Sequence, residues 1–421
     1  MTDAEPRPRD RSRPYDIVLW GATGFTGRLV AEHLVRTRAD GELRLALAGR
    51  SRDKLEALRR ELAAIDPAAR ELPIELADSF DAAALDALMA KTTVVCTTVG
   101  PYAKYGAELV AACVRQGTDY CDLTGEVPFI RTMIDRHHDA AHQAGARIVC
   151  CCGFDSIPSD LGTFMMQQAF RKRHGVPARQ VKLAVRSTKG GFSGGTVASM
   201  VEIAQAARHD PETRRLLLDP YALDPADGRR GPDGRDPHGV GFDDDFGGWT
   251  APFVMAAVNT RVVRRSNALM AYAYGEEFGY QEFMTFPRGP KGRLRAAAVA
   301  RGLVAFMVAV ALGPTRSLMQ RFVLPAPGEG PDQAAREAGY FTMRLLAKGP
   351  VGGGEQEEIF GRVEGHKDPG YGATAIMLGE SARCLAIDPV ISEGGVITPT
   401  VAMGELLLGR LRAAGMIFAV E

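Results

Sequence analysis

The sequence predicts an α/β protein, with an N-terminal Rossmann domain built on a doubly wound parallel sheet and a second α/β domain behind it. Three observations lead there. From Tyr15 to Cys152, short apolar runs alternate with helix-length amphipathic stretches. A glycine-rich turn directly follows the first of those runs. After Pro158 the rhythm breaks, and Gly-rich connections separate longer strand candidates. Strands separated by helix-length segments imply parallel βαβ units with right-handed crossovers.

A length of 421 residues leaves room for two or three domains with a buried core. Apolar content of 46% and charged content of 24% match an ordinary globular chain. The formal net charge is zero, which excludes a global field that would gather nucleic acid. Nothing at the N-terminus reads as a secretory signal, so the expected location is cytoplasmic. Arg7, Arg9, Arg11 and Arg13 lie in a Pro-containing leader without hydrophobic periodicity, and residues 1–13 read as a disordered tail.

The elements follow in order. Tyr15–Trp20 is the first strand candidate, and Thr26–Arg36 the helix after it. Leu43–Ala48 and Arg52–Ile65 form the next pair, then Leu72–Ala77 and Asp81–Lys91. Thr93–Val99 and Tyr105–Gln116 follow, and Arg147–Cys152 closes the series. Beyond it, Val181–Ser187 is a strand candidate and Gly190–Thr196 a flexible loop. Val197–Arg208 reads as a helix with Thr196 as its N-cap. Residues 219–248, rich in Gly, Pro and Asp, read as a long surface loop. Tyr340–Leu346 and Glu357–Val363 look like strands, and Thr374–Ile387 and Pro399–Ala413 like helices.

Leu294–Gly313 is apolar except for Arg295 and Arg301, and Arg288, Lys291 and Arg293 precede it. Its uninterrupted part, Leu303–Leu312, is too short to span a bilayer. A buried helix is the plain reading. The sharper one is an apolar surface for a greasy substrate, a partner or peripheral membrane contact, with snorkelling arginines. Cys150, Cys151 and Cys152 are adjacent in a strand candidate, so they point to opposite faces and cannot share one tetrahedral metal site. His138 and His142 have helical i, i+4 spacing, but no metal is expected; seven cysteines in a chain this long read as reduced core residues.

Gly21, Thr23, Gly24, Phe25, Thr26 and Gly27 lie in the turn between the first strand and the first helix. Glycines there let the turn bend and let the backbone approach a pyrophosphate, which the helix N-terminus attracts. Placed between a strand and a helix, this is a dinucleotide fingerprint. The second strand runs out into Gly49, Arg50 and Ser51, where an NAD site would offer an acid to the ribose 2′-hydroxyl. A guanidinium and a hydroxyl suit a 2′-phosphate instead, so the expected cofactor is NADP(H). Asp78, after the third strand, is either an adenine contact or an N-cap. Gly100 and Pro101 follow the fourth strand at its carboxyl end, where open α/β sheets hold ligands.

Asp122 and Glu126 add carboxylates to the same expected sheet edge. The Tyr and Lys pair of short-chain dehydrogenases, four residues apart, is absent after every strand placed here. Tyr102 and Lys104 have the residue types at another spacing, with Lys104 placed to lower a phenol pKa. With Ser156, they are the candidates for proton transfer.

These blocks resemble the saccharopine dehydrogenase-like oxidoreductases, and within them the actinobacterial trans-acting enoyl reductase branch. The resemblance runs through YDIVLWGATGFTG at 15–27, LALAGRS at 45–51, TVGPYAKYG at 98–106 and YCDLTGE at 120–126. It continues through GFDSIPSDLG at 153–162, GGFSGGT at 190–196 and WTAPFVMAAVNTRVVRRSNAL at 249–269. DPGYGATAIMLGESA at 368–382 and GGVITPTVAMGELLLGRLRAAG at 394–415 complete it. The resemblance implies a Rossmann domain over 14–157, a second substrate or dimerisation domain over 158–390, and a C-terminal segment, 391–421, whose helix returns to the first domain. It implies NADP(H) at Gly21, Gly24, Gly27, Arg50 and Ser51, and reduction of an α,β-unsaturated lipid or polyketide acyl chain, free or carrier-bound. A homodimer is a further expectation. Two other functions stay open. Saccharopine-type imine chemistry would need arginines for several carboxylates, and Arg261, Arg264 and Arg265 are available in the sequence. A non-catalytic NADP-sensing or membrane-associated protein is the other.

Overall fold

The computed structural model describes residues 12–38, 43–190, 194–311, 315 and 330–421. They form two compact units. The first holds the described residues of 1–154, Gly330 and Gly370–Ala414; the second holds those of 155–326, Pro331–Pro369 and Gly415–Glu421.

The first unit opens with β1 (Tyr15–Trp20), α1 (Phe25–Thr37), β2 (Leu45–Gly49), α2 (Arg52–Leu62), β3 (Ile74–Leu76), α3 (Ala82–Met89) and β4 (Thr92–Thr97). It continues with α4 (Tyr102–Tyr105), α5 (Ala107–Gln116), β5 (Asp119–Cys121), α6 (Val127–Ala144) and β6 (Arg147–Val149). Strands β1 and β2 are nearly or wholly buried along their length, as a sheet covered on both faces requires. Strand β5 is three residues long, too short for its apolar run to stand out, and neither it nor α6 is among the elements predicted above. Arg147 and Asp119 form a buried ion pair at 3.0 Å that joins β6 to β5.

The leader ends sooner than expected. Residues 1–11 lie outside the described part, but the Arg13 guanidinium donates to the carbonyls of Met89, Thr92 and Gln116 and to Thr118 Oγ1. That residue belongs to the folded unit.

The second unit starts with α7 (Ile157–His174), β7 (Gln180–Lys189), α8 (Gly194–His209), α9 (Pro211–Leu218), β8 (Gly241–Asp243), β9 (Gly248–Pro252) and α10 (Ala256–Leu269). Strand β10 (Gly279–Phe286), α11 (Pro290–Ala311), α12 (Gln333–Glu337), β11 (Tyr340–Pro350) and β12 (Gln356–Gly365) follow. The helix α8 begins at Gly194, so Thr196 lies inside it and is not its N-cap; residues 191–193 of the predicted loop lie outside the described part.

The chain then re-enters the first unit with α13 (Thr374–Ile387), β13 (Gly395–Ile397) and α14 (Pro399–Ala413), and β14 (Ile417–Val420) ends it in the second. The boundary expected at residue 390 is therefore corrected: α13 and β14 lie on the other sides of it. Both assignments follow from packing. Strand β13 pairs in parallel with β6, whereas β14 pairs antiparallel with β12.

The first sheet has seven parallel strands in the order β13-β6-β5-β4-β1-β2-β3. Its order reverses between β1 and β4, which is where open α/β sheets bind ligands. The second sheet runs β14-β12-β11-β7-β10-β9-β8, and only β7 and β10 are parallel in it.

The surface loop expected over 219–248 is corrected in part: it is irregular up to Val240, but β8 lies within it, Tyr221–Asp224 are buried, and it is pinned down. Asp233 accepts from Arg264 Nε and from the Tyr280 amide, at 2.8 and 2.9 Å, and Asp236 pairs with Arg261. The plain reading of 294–313 is overturned: α11 buries Ala296, Ala300 and Val310 but leaves Leu294, Val304, Met307 and Val308 exposed. Leu312 and Gly313 lie outside the described residues. Among the described residues, no helix is long and apolar enough to cross a membrane.

Candidate cofactor site

A cleft of about 370 Å³ lies over the end of β1, lined by Gly21, Thr23, Gly24, Arg50, Asp78 and Gly100. These come from the loops after β1, β2, β3 and β4, brought together at the order reversal of the sheet. Gly21 has φ +81°, which disfavours any L side chain, and an added Cβ would lie 2.5 Å from Val99 Cγ2. Gly27 lies beneath the turn: its Cβ would lie 2.2 Å from the Gly21 carbonyl. It is a packing residue that lets helix and strand approach. Gly24 is the N-cap of α1, with no side-chain cap and no acid in the first turn. That helix end is left for an anion.

Other predicted residues fall outside the cleft lining. Phe25 stacks edge-on against Tyr371 at 4.7 Å, and Gly330 packs on its ring. Thr26 and Pro101 are absent from the lining, and Pro101, whose peptide bond is cis, is the N-cap of α4. Ser51 is the N-cap of α2, with Oγ 3.5 Å from the Lys54 amide. Of the two readings of Asp78, the cap is overturned. Asp81 caps α3, while Asp78 accepts from the Phe80 amide at 3.0 Å and lines the cleft.

Arg50 is exposed at the cleft and makes no hydrogen bond or ion pair among the described residues. An unpaired guanidinium beside an uncapped helix end is a phosphate-binding arrangement. The indole of Trp20 adds a second unspent donor. It is 2% exposed, lines the cleft, and its Nε1 has no partner among the described residues. These residues fit a dinucleotide with an extra phosphate. Trp20, Gly49, Ser79, Phe80, Thr98, Val99 and Tyr105 also line the cleft and were not predicted from the sequence. Trp20 and Gly49 end strands and the rest lie in the loops and short helix that follow β3 and β4, and only that placement could have flagged them. Thr98 Oγ1 donates to the Gly21 carbonyl at 3.2 Å and so ties the β4 loop to the fingerprint turn.

The proton-transfer candidates fare differently. Tyr102 is buried; its hydroxyl donates to the Thr97 carbonyl and accepts from the Leu123 amide, at 3.3 and 3.4 Å. Burial, and then the Asp122 charge, pushes its pKa well above the usual phenol value, the reverse of the expected lowering. Lys104 cannot correct this, because residues two apart on a helix point to different sides. Its ammonium rests instead over the Tyr105 ring, 5.2 Å from the centroid. Ser156 belongs to the second unit, where its buried hydroxyl donates to Asn259 Oδ1 at 3.0 Å. Asn259 in turn donates to Glu282 at 2.7 Å, a carboxyl that burial raises to about 7.

Asp122 and Glu126 are spent internally rather than offered to a ligand. Asp122 accepts from the Tyr120 hydroxyl and from the Thr124 and Cys151 amides, and its burial raises the pKa to about 7. Glu126 accepts from the Tyr102 and Ala103 amides. His138 and His142 lie against the backbone of Val396 and Gly394, so they fasten α6 to the β13 segment. Among the described residues, no three His, Cys, Asp or Glu side chains converge as metal ligands.

Residues 17–149 match the family model described as saccharopine dehydrogenase NADP binding domain. A Mycobacterium tuberculosis protein provisionally named a trans-acting enoyl reductase is 44% identical over 415 residues, covering 96% of this chain and 97% of its own. The trans-acting enoyl reductase of Mycobacterium ulcerans is 40% identical over 429 residues, with the same coverage. The L-Glu-forming saccharopine dehydrogenase of Saccharomyces cerevisiae superposes with a TM-score of 0.56 at 12% identity. That match covers 96% of this chain and 99% of the yeast chain, and it is a likeness of fold. The chain therefore belongs to the trans-acting enoyl reductase family, an oxidoreductase whose first unit is an NADP(H)-binding domain.

Proposed function

We propose that this protein reduces the carbon–carbon double bond of an α,β-unsaturated acyl thioester, a lipid or polyketide intermediate presented on a carrier. The supporting observation is a cleft suited to NADPH in a chain whose candidate amino-acid arginines are already committed. Arg261 pairs with Asp236, Arg264 with Asp233 and the Pro220 carbonyl, and Arg265 with the Leu223 carbonyl. All three are buried. Withdrawing Arg261 and Arg264 to hold substrate carboxylates would break ion pairs in which the arginine is buried, and withdrawing Arg265 would leave the Leu223 carbonyl without that donor. Saccharopine-type imine chemistry is therefore disfavoured.

The turn at Gly21–Gly24 and the α1 N-terminus would hold the pyrophosphate of NADPH and Arg50 its 2′-phosphate, and the cofactor would supply the hydride for the substrate β-carbon. The enolate oxygen then needs a hydrogen-bond donor and the α-carbon a proton. Tyr102 and Ser156 have their hydroxyl protons engaged, so Lys104, with an exposed head group, is the sequence candidate this proposal keeps. Lys104→Met separates two roles. Lower kcat at unchanged NADPH affinity supports proton transfer, and weaker NADPH binding at unchanged kcat places Lys104 on the cofactor instead.

The experiment for the reaction uses purified protein and NADPH with a long enoyl thioester, and in parallel with glutamate and α-aminoadipate semialdehyde. Oxidation of NADPH with the thioester, and a product heavier by two hydrogens, is the expected result. Turnover of the amino-acid pair alone would overturn the proposal.

A further inference from the structure

The helix α11 turns its wrong side outward for a water-facing helix. Leu294, Ala298, Arg301, Ala305 and Val308 lie at i, i+4, i+7, i+11 and i+14, on one stripe, and all are exposed. Leu294 is 70% exposed, Val304 beside the stripe 64% and Val308 52%. A surface helix ordinarily sets polar side chains there. The opposite face already has its core: Ala296 and Ala300 pack with Ala251, and Val310 with Val201. The outward stripe is therefore surplus to the fold. It spans about 21 Å at the α-helical rise, and it borders an open groove of about 720 Å³ lined by Val240, Pro252 and Leu303.

The charges flanking the stripe are of one sign. From Pro287 to Ala311 there are five cations, Arg288, Lys291, Arg293, Arg295 and Arg301, and no acid. Arg288 and Arg293 rest on the rings of Phe242 and Trp249. Lys291, Arg295 and Arg301 make no ion pair among the described residues. We propose that this face of α11 docks flat on an anionic lipid surface, with Leu294, Val304 and Val308 entering the acyl boundary and the arginines meeting the headgroups. Exposed apolar side chains beside unpaired cations are the pattern of an interfacial helix. A second copy of the chain fits this face poorly, because a two-fold contact would set cations against cations. The proposal is independent of the reductase reading.

The test is co-sedimentation of the full chain with phosphatidylcholine vesicles, with and without phosphatidylglycerol. Binding only where phosphatidylglycerol is present, and weaker binding as salt rises, is the expected result. Val304→Asp with Val308→Asp should abolish it. Arg295→Gln with Arg301→Gln should lower the partition about tenfold or more. Both variants should keep wild-type NADPH affinity and melting temperature, which separates lost docking from lost folding. Three results would each overturn the proposal: no vesicle binding by the wild type, equal binding to neutral vesicles, or self-association of the wild type that Val304→Asp abolishes. Enoyl reduction by a protein that ignores vesicles would leave the reductase reading standing and this one refuted.

Discussion

The carboxylate of Glu126 accepts the backbone N–H of Tyr102 at 2.9 Å, and its other oxygen accepts that of Ala103 at 2.8 Å. A buried acid thus caps a four-residue helix from another loop. The capped segment carries Gly100 and Tyr105, both in the cleft wall. The position of the β4 loop, and with it one side of the cofactor cleft, depends on this contact.

Glu126→Ala should therefore damage stability and binding together. Two amides lose their acceptor, and a buried donor left unsatisfied costs about 1–3 kcal/mol. The melting temperature should fall by about 5 °C or more, and NADPH should bind more weakly. Differential scanning fluorimetry with and without NADPH reads both quantities. A variant with unaltered melting and affinity would show that the cap does not hold the loop.

Arg50→Ala should discriminate between cofactors. One charge-assisted contact to a 2′-phosphate is worth about 1.5–3 kcal/mol, so NADPH affinity should drop about tenfold to a hundredfold. NADH lacks that phosphate, and its affinity should not change. Energy transfer from Trp20, in the cleft wall, gives an optical titration for both. Equal losses for the two cofactors would remove Arg50 from phosphate recognition.

How far the sequence could be read follows from which contacts are local. The run from Tyr15 to Gly27 is legible because strand, glycine turn and helix are consecutive and each has its own signature. Thr374–Ile387 and Pro399–Ala413 match α13 and α14 at both ends because each is a long run of helix-favouring residues with clear stops, although the kink at Gly404 inside α14 was not legible. Strand β5 was not legible, since Asp119–Cys121 is too short to show a period and is placed by β4 and β6 on either side. Arg264 read as a free cation because its partner Asp233 lies 31 residues upstream in an irregular segment. Tyr102 and Lys104 failed as a pair once the short helix turned them apart.

Gly24 and Gly27 of the fingerprint should respond differently to a branched side chain. At Gly24 an added Cβ would meet only the Gly21 carbonyl, at 3.4 Å, which is ordinary contact. Gly24→Val should fold and fail to bind NADPH, because its side chain occupies the anion position at the helix end. At Gly27 the same atom would lie 2.2 Å from backbone, so Gly27→Val should lose the fold as well. Circular dichroism melts beside NADPH titrations distinguish the two. A well-folded Gly27→Val variant, or a Gly24→Val variant with normal affinity, would contradict these packing roles.

The last prediction concerns acid. Glu380 on α13 accepts from His33 on α1 at 2.8 Å and pairs with Arg383 and Arg410 at 2.9 and 3.1 Å. Burial alone would raise its pKa. The His33 hydrogen bond and the charges of Arg383 and His33 outweigh that and bring it from 4.5 to about 2. A carboxyl with a depressed folded pKa stabilises the native state above its unfolded pKa, and the contribution is lost as pH falls towards the folded value. That depression corresponds to about 3 kcal/mol at neutral pH. Thermal stability of the first unit should therefore decline from about pH 5 downward, continuing towards about pH 2. Glu380→Gln should melt lower at neutral pH, because three cationic or hydrogen-bonding partners lose their shared acid. It should also show a shallower decline in acid, since the titrating group is gone. Melting curves of both proteins across that range check the slope and the offset together. Parallel acid profiles for wild type and variant would mean that other carboxylates carry the acid sensitivity and that Glu380 is not the group linking α1, α13 and α14 against pH.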